Sequence, residues 1–326
     1  MRNIIMLLAV VAMLITVPFA TADEVDVTAT ISSAGNPPVI ESMFVMDMVN
    51  AQYNESGDLD HLEAGTQIMP NPGAACDEVI TDFYKFIVVS DPNGMQDIVE
   101  VYEKLFGTTD AQLGPEVTCA DITNTADQDA ALLAALEMGL ITQAEYDNLL
   151  WMLDPLKQQA KMFKVANTLT NHDEPGNYSV YFKAVDTGGA YMIGYTYFDY
   201  MALKAIELDF TQVNYGPIMV NVEKWVAGDE NWLTPEKPTI KNQGNQPLQI
   251  TVDATDLIGT NLGQSIGAEA LSVELLGEHV YDLSSPVTLQ GFLMPCTPTQ
   301  ISFDITAPVG TAADSYTGDI AITIAP

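Results

Sequence analysis

Tyr84-Lys85-Phe86-Ile87-Val88-Val89-Ser90-Asp91-Pro92-Asn93-Gly94 is the stretch that decides the fold class. Tyr84, Phe86 and Val88 recur with a period of two, which puts their side chains on one face of a β-strand. Ser90-Asp91-Pro92-Asn93-Gly94 then ends that strand with strong turn chemistry, and Ile98 to Phe106 follows at hairpin distance. The same alternation appears on both sides. Val25, Val27, Ala29 and Ile31 alternate with polar residues upstream, ahead of Gly35-Asn36-Pro37-Pro38. Tyr178, Val180, Phe182 and Ala184 alternate after Pro175-Gly176-Asn177 and stop at Asp186-Thr187-Gly188-Gly189. Such patterning predicts an antiparallel sheet with one buried face.

A helical island interrupts the strands. Residues 127–138 carry Leu132, Leu133 and Leu136 at helical spacing, and Gly139 closes the run. Thr142-Gln143-Ala144-Glu145 is a capping box that opens a second helix, with Tyr146, Leu149, Leu150 and Leu153 as its apolar stripe and Pro155 near its end. No Asp-rich loop with the required Gly precedes that helix, so the calcium-binding EF-hand is excluded. From Leu203 onward the strands resume: Ile206, Leu208 and Phe210; Leu248, Ile250 and Val252; Ile301, Phe303 and Ile305; Ile320, Ile322 and Ile324. Many short strands between turns predict a sandwich. The expected fold class is mainly β: two Ig-like β-sandwich domains, at 23–200 and 201–326, the first with a helical hairpin inserted at about 127–154.

The N-terminus has Met1-Arg2-Asn3, an apolar run, and Ala20-Thr21-Ala22 before Asp23-Glu24. This is the pattern of a secretory signal peptide over residues 1–22. The mature chain, ending on Ala325-Pro326, is expected outside the membrane, secreted or at the cell surface. Arg2 is the only arginine, so the mature chain has ten lysines against 44 acids, a net charge of −34. That field repels phosphate and anionic lipid, so nucleic acid and membrane surfaces are excluded as partners. At 48% hydrophobic residues the acids coat a folded body.

Two groups of segments resemble the tandem Ig-like β-sandwich modules of archaeal secreted and cell-surface proteins. The first comprises Pro37-Pro38-Val39-Ile40, the turn at 90–94 with Asp97-Ile98, and Gly176-Asn177-Tyr178-Ser179-Val180 with Ala184-Val185-Asp186. The second comprises Val213-Asn214-Tyr215-Gly216, the run from Pro238 through Asn242-Gln243-Gly244-Asn245, and Tyr316-Thr317-Gly318-Asp319-Ile320 with the strand after it. The chain departs from that pattern at Val220-Asn221, where Pro-Gly would stand. The resemblance implies architecture and location and carries no activity.

The residues offer three chemistries, a nucleophilic serine, a histidine or zinc site, and a calcium site. Gly263-Gln264-Ser265-Ile266-Gly267 matches the G-x-S-x-G nucleophile elbow. However, Leu257-Ile258-Gly259-Thr260-Asn261 ahead of it reads as no strand, His279 follows too soon, and the βα alternation is missing. The chain is therefore expected to be no enzyme, with no catalytic residue; an unrecognised hydrolase site is the weakest alternative. His61, His172 and His279 are scattered, and no Cys-x-x-Cys pair suits zinc. No cofactor is expected; calcium is the one metal the residues would suit, at Asn54, Glu55, Asp58 and Asp60 or at Asp173 and Glu174 beside Asn171. A solvated acidic loop is the plainer reading of each.

Cys76 and Cys119 are the expected disulfide pair, leaving Cys296 outside it. Asn54 and Asn177 open N-x-S glycosylation acceptors. Tyr191, Tyr195 and Tyr197 share one strand face near Tyr200, where half-burial is the expectation and stacking on sugar or a partner the alternative. The segment at 25–31 needs a sheet edge, in its own chain or in a neighbour. Together these features point to a non-enzymatic secreted or cell-surface structural or interaction protein, in an envelope layer or an adhesive assembly. Its partners would be other surface proteins, copies of itself or glycan. The alternative is a secreted carbohydrate- or calcium-binding module.

Overall fold

The computed structural model describes residues 36–47, 67–68 and 81–325. The signal peptide expected at 1–22, the strand expected at 25–31, the acidic segment at 54–60, His61 and Cys76 lie outside the described residues. The first half forms β1 (Val39–Asp47), β2 (Gln67–Ile68), β3 (Thr81–Ser90), β4 (Ile98–Phe106), β5 (Gln112–Thr118) and β6 (Ala120–Asp121). Then come α1 (Thr125–Glu137), α2 (Gln143–Leu153), β7 (Ala160–Leu169), β8 (Gly176–Asp186) and β9 (Tyr191–Tyr200). One sheet runs β1-β3-β7-β6 and the other β2-β9-β8-β4-β5. Their facing side chains make one core that includes Phe83, Ile87, Val101, Val180, Phe182 and Phe198. Each such aromatic or branched side chain contributes about 1.5–3 kcal/mol by leaving water.

The sequence pattern predicts one buried face, and β3 has two. Phe83, Lys85, Ile87 and Val89 face the second sheet, whereas Phe86 and Val88 pack with Phe44, Met46 and Met162 against the helices. Leu132 and Ala135 of α1 and Leu149 and Leu153 of α2 supply the helical side of that second core. The first sandwich is thus three layers: helical hairpin, sheet, sheet. A strand buried on both faces reads as a nearly continuous apolar run, and β3 does.

Local chemistry sets the helix ends. Asn124 caps α1, its Oδ1 accepting from the Ala126 N–H at 3.1 Å. The capping box is present on α2: Glu145 N–H donates to Thr142 Oγ1 at 3.2 Å, and Thr142 N–H donates to Glu145 Oε2 at 2.7 Å. The hydrogen bonds pull the Glu145 carboxyl below its ordinary range. Thr142→Ala should cost about 1 kcal/mol of stability. Urea titration checks this, with Thr142→Ser expected to stay at the wild-type midpoint.

The second half forms β10 (Ile206–Leu208), β11 (Lys224–Val226), β12 (Thr239–Asn242), β13 (Ile250–Ala254), β14 (Leu257–Gly259) and β15 (Ser265–Ile266). It continues through β16 (Leu271–Leu275), β17 (Glu278–Tyr281), β18 (Val287–Thr288), β19 (Pro298–Ile305), β20 (Tyr316–Thr317) and β21 (Ile320–Ile324). A six-stranded sheet built on β10-β12-β19-β16-β17, with β11 also on β19, faces two three-stranded sheets, β18-β13-β21 and β15-β14-β20. Ile240, Val273 and Phe303 from the large sheet meet Ile250, Val252 and Ile266 from the small ones in one core.

Candidate functional site

Two groups of side chains stand out, both in the first sandwich. The first is at one end of it. The turn after β3 holds Asp91, a short 3-10 turn holds Asp97, and the β8–β9 hairpin begins at Asp186. Pairing of Ile98 with Asp186 in the β4–β8 ladder brings these turns together. The three carboxylates offer oxygens within 4.8 Å of one another. Asp91 and Asp186 are only 7% and 2% exposed.

Part of this cluster is satisfied within the turns. Asp91 Oδ1 accepts from the Asn93 N–H at 2.7 Å and Asp186 Oδ1 from the Ala190 N–H at 2.8 Å. Asp97 accepts from Asn93 Nδ2 at 3.2 Å and from the Thr187 hydroxyl. The other oxygens of the two buried carboxylates, Asp91 Oδ2 and Asp186 Oδ2, have no hydrogen-bond partner. Burial first, and then the charges of Asp97 and Asp186, push the Asp91 carboxyl above its ordinary range.

Two such charges within 4.8 Å of one another repel by at least about 3.5 kcal/mol at an effective dielectric of about 20. A hard divalent cation turns that repulsion into attraction. It also takes oxygen donors of this type from flexible turns.

The second group lies inside the core. Lys85 of β3 and Glu103 of β4 come from opposite sheets, are 0% and 1% exposed, and form an ion pair. Burial drives Lys85 below and Glu103 above their ordinary ranges, each opposed by its partner. Both groups are therefore pushed towards the neutral form. The Lys85 ammonium nitrogen stands 5.7 Å from the Phe83 ring centroid. Cys119 lies beside the pair, and its thiol is pushed up to about 12, mainly by burial and then by Glu103. Its expected partner, Cys76, is outside the described residues. Cys296 is buried in the second half, with φ 59°.

The remaining candidates are placed as follows. Asp173 Oδ2 closes its own turn on the Thr170 N–H at 2.7 Å, Glu174 is exposed, and Asn171 Nδ2 donates to the Gln243 carbonyl at 2.7 Å. Asn177 is exposed at the start of β8, and its Nδ2 donates to Asp199 at 3.0 Å.

Tyr191, Tyr195 and Tyr197 are more than half exposed, not half-buried, because they sit on the outer face of the second sheet; Tyr200 points into the core. Lys183 stands 4.7 Å from the Tyr191 ring centroid, and Tyr181 meets Tyr195 edge-on at 5.5 Å.

Residues 257–259 are a strand, contrary to the expectation from sequence. Even so, Ser265 pairs with Ile258 in an antiparallel hairpin, followed only by a single 3-10 turn at Ala268–Ala270 and no α-helix, which is not a nucleophile elbow. That loop is pinned by Asp314, which accepts from Asn261 and Leu262 N–H groups at 2.9 and 2.8 Å. Those bonds, chiefly the one from Leu262, hold the Asp314 carboxyl down at about 2. His279 is occupied elsewhere: its Nε2 lies 2.9 Å from Asp304, and its ring lies between Trp225 and Tyr281. A cavity of about 1070 Å³ in the second sandwich is lined by Phe210, Tyr215, Ile218, Leu257 and Tyr316 among others.

Asp91, Asp97 and Asp186 are legible in the sequence only as turn residues. Lys85 and Glu103 carry the signal of charges within apolar strands, but only the packed structure shows that their face is the core.

No protein-family model matches the sequence, and no curated protein matches it. Among solved structures, the chain is similar to the CsuC–CsuE chaperone–tip adhesion subunit complex of Csu pili from Acinetobacter baumannii. That match has TM-score 0.29 and 7% identity over 74% of this chain and 84% of that one. The secreted serine protease VesC of Vibrio cholerae matches at TM-score 0.20 and 12% identity, over 84% of this chain and 53% of the protease. BcpA, the major pilin subunit of Bacillus cereus, matches at TM-score 0.26 and 8% identity, over 78% of this chain and 66% of BcpA. Likenesses this distant carry no argument about function. Among the described residues no helix is long and apolar enough to cross a membrane.

Proposed function

We propose that the chain is a non-enzymatic structural protein of the cell exterior, whose first sandwich is clamped by a calcium ion at Asp91, Asp97 and Asp186. The two buried carboxylate oxygens without a partner, Asp91 Oδ2 and Asp186 Oδ2, carry this reading. A buried anionic oxygen with no donor costs several kcal/mol, and a bound cation removes the cost. The ion would tie the β3–β4 turn to the β8–β9 hairpin, and so join strands of both sheets at one end of the sandwich. The signal-peptide pattern and the acidic chain after it support the exterior setting, where calcium is abundant and a net charge of −34 favours solubility. The work of such a protein is to span and to assemble, as part of an envelope layer or an adhesive complex.

Calcium should raise the melting temperature by several degrees. At a free concentration about 100 times Kd the stabilisation is about 2.7 kcal/mol. Matched magnesium should do much less, because it dehydrates reluctantly and demands stricter geometry. Asp186→Asn should abolish the calcium increment. Equal shifts from both ions, or a calcium shift retained in Asp186→Asn, would reduce the effect to screening of surface charge.

A further inference from the structure

Lys85 and Glu103 share their part of the core with a third polar side chain. In the β3–β7 ladder Lys85 faces Val165 and Phe83 faces Asn167. Val165 and Leu169 belong to the core, so the period of two turns Asn167 inward with them. Asn167 therefore stands diagonal to Lys85 on the same face of the same sheet. Diagonal neighbours of an antiparallel pair are about 7–8 Å apart, within reach of a long side chain. The Asn167 Oδ1 is buried and accepts no hydrogen bond. Glu103 enters from the opposite sheet between Val101 and Leu105 and already touches the lysine.

A paired amine and carboxyl group thus share one face of the core with an unsatisfied carboxamide one diagonal step away in the ladder. A buried ion pair is a poor source of stability, because the desolvation of two charges offsets most of their attraction. It is a good source of reactivity. Burial pushes the lysine towards the free amine and the glutamate towards the acid, which are the forms needed for acyl transfer.

We propose that Lys85 and Asn167 join in an intramolecular amide bond, with Glu103 carrying the proton. The Lys85 Nζ lone pair attacks Asn167 Cγ while the Glu103 carboxyl donates a hydrogen bond to the vacant Oδ1. The new bond is Nζ–Cγ. The bond from Cγ to Nδ2 breaks, Glu103 delivers its proton to the departing nitrogen and takes one from Nζ, and ammonia leaves. Glu103 ends as it began, and no oxidant, reductant or co-reactant is needed. The product is a neutral amide across β3 and β7 that closes the chain around β4 and the helical hairpin. The link does not depend on the cation site, which lies in the turns beyond β3 and β8.

The test is mass spectrometry of the folded, secreted wild-type protein after denaturation. The expected intact mass is lower than that of the mature sequence by one ammonia, and digestion should yield a branched peptide pair joined through Lys85 and Asn167. Glu103→Gln and Lys85→Met should both return the full mass. Ring closure at Asn93-Gly94 also expels ammonia, so a loss that persists in Lys85→Met overturns the proposal. A full-mass wild-type chain overturns it too. Loss of one water, with Lys85 joined to Glu103, would show instead that the carboxyl is the acyl donor. The wild-type measurement decides even where a variant fails to fold.

Discussion

Glu103→Ala should destabilise the first sandwich by at least about 3–5 kcal/mol, the usual cost of removing one partner of a buried pair. The loss falls on Lys85, which is 0% exposed and would keep its amine in an apolar core without its carboxylate partner. In urea this appears as a lower midpoint at nearly constant slope. The companion variant Lys85→Met/Glu103→Leu removes both charges and refills the space with apolar atoms. For a simple ion pair, that double variant should match or exceed the wild type, because two desolvation penalties vanish together. A covalent link changes the ranking. The double variant then recovers the solvation cost but loses the closed loop between β3 and β7, and it stays below the wild type. A double variant more stable than the wild type would leave the core pair as an electrostatic liability and nothing more.

What was legible in the sequence follows the range of each interaction. Strands such as β8 and the helix caps at Asn124 and Thr142 are local, so period and capping chemistry expose them. The mainly β class and the inserted hairpin rest on these. The double burial of β3 is not local. Tyr84, Phe86 and Val88 look like the core face by themselves, and only the packed helices explain why Phe83, Ile87 and Val89 are apolar as well. The two site groups were hidden for a related reason. Asp91 and Asp186 meet only because β4 pairs with β8, a contact between turns far apart in sequence. Lys85, Glu103 and Asn167 come from three strands in two sheets. Alternation predicts polar residues in a half-buried strand, so period alone puts Lys85 on the face opposite Tyr84 and Phe86, and only the packing of the two sheets shows that this face is core.

The tyrosine row teaches the converse. Tyr191, Tyr195 and Tyr197 sit on an apolar-looking strand, and half-burial was the natural expectation. In β9 the buried positions are Phe198 and Tyr200, and the earlier tyrosines stay on the outer face beside Lys183. Aromatic content alone does not tell a core face from a displayed one. The cross-strand register does.

Gly244→Ala should cost about 3 kcal/mol and loosen the passage from the first sandwich to the second. A Cβ at this position would stand 2.1 Å from the Leu203 carbonyl oxygen, a backbone atom that cannot rotate away. That strand of backbone is held where it is. Leu203 N–H donates to Asn245 Oδ1 at 2.7 Å, Asn245 Nδ2 to the Met201 carbonyl at 2.9 Å, and Gln243 N–H to the Ala205 carbonyl at 2.9 Å. Asn171, from the loop before β8 and 1% exposed, adds its bond to the Gln243 carbonyl. Admitting the methyl group means moving the 201–205 segment off this turn, and each bond lost costs about 1 kcal/mol more. Limited proteolysis should then cut within 201–205 while both cores stay resistant. Gly263→Ala is the control. It has φ +65° but open space around its Cβ, so it should cost only the about 1–2 kcal/mol of left-handed backbone and leave 201–205 protected. Equal losses and equal protection in the two variants would mean that the Asn-rich turn does not hold the two sandwiches together.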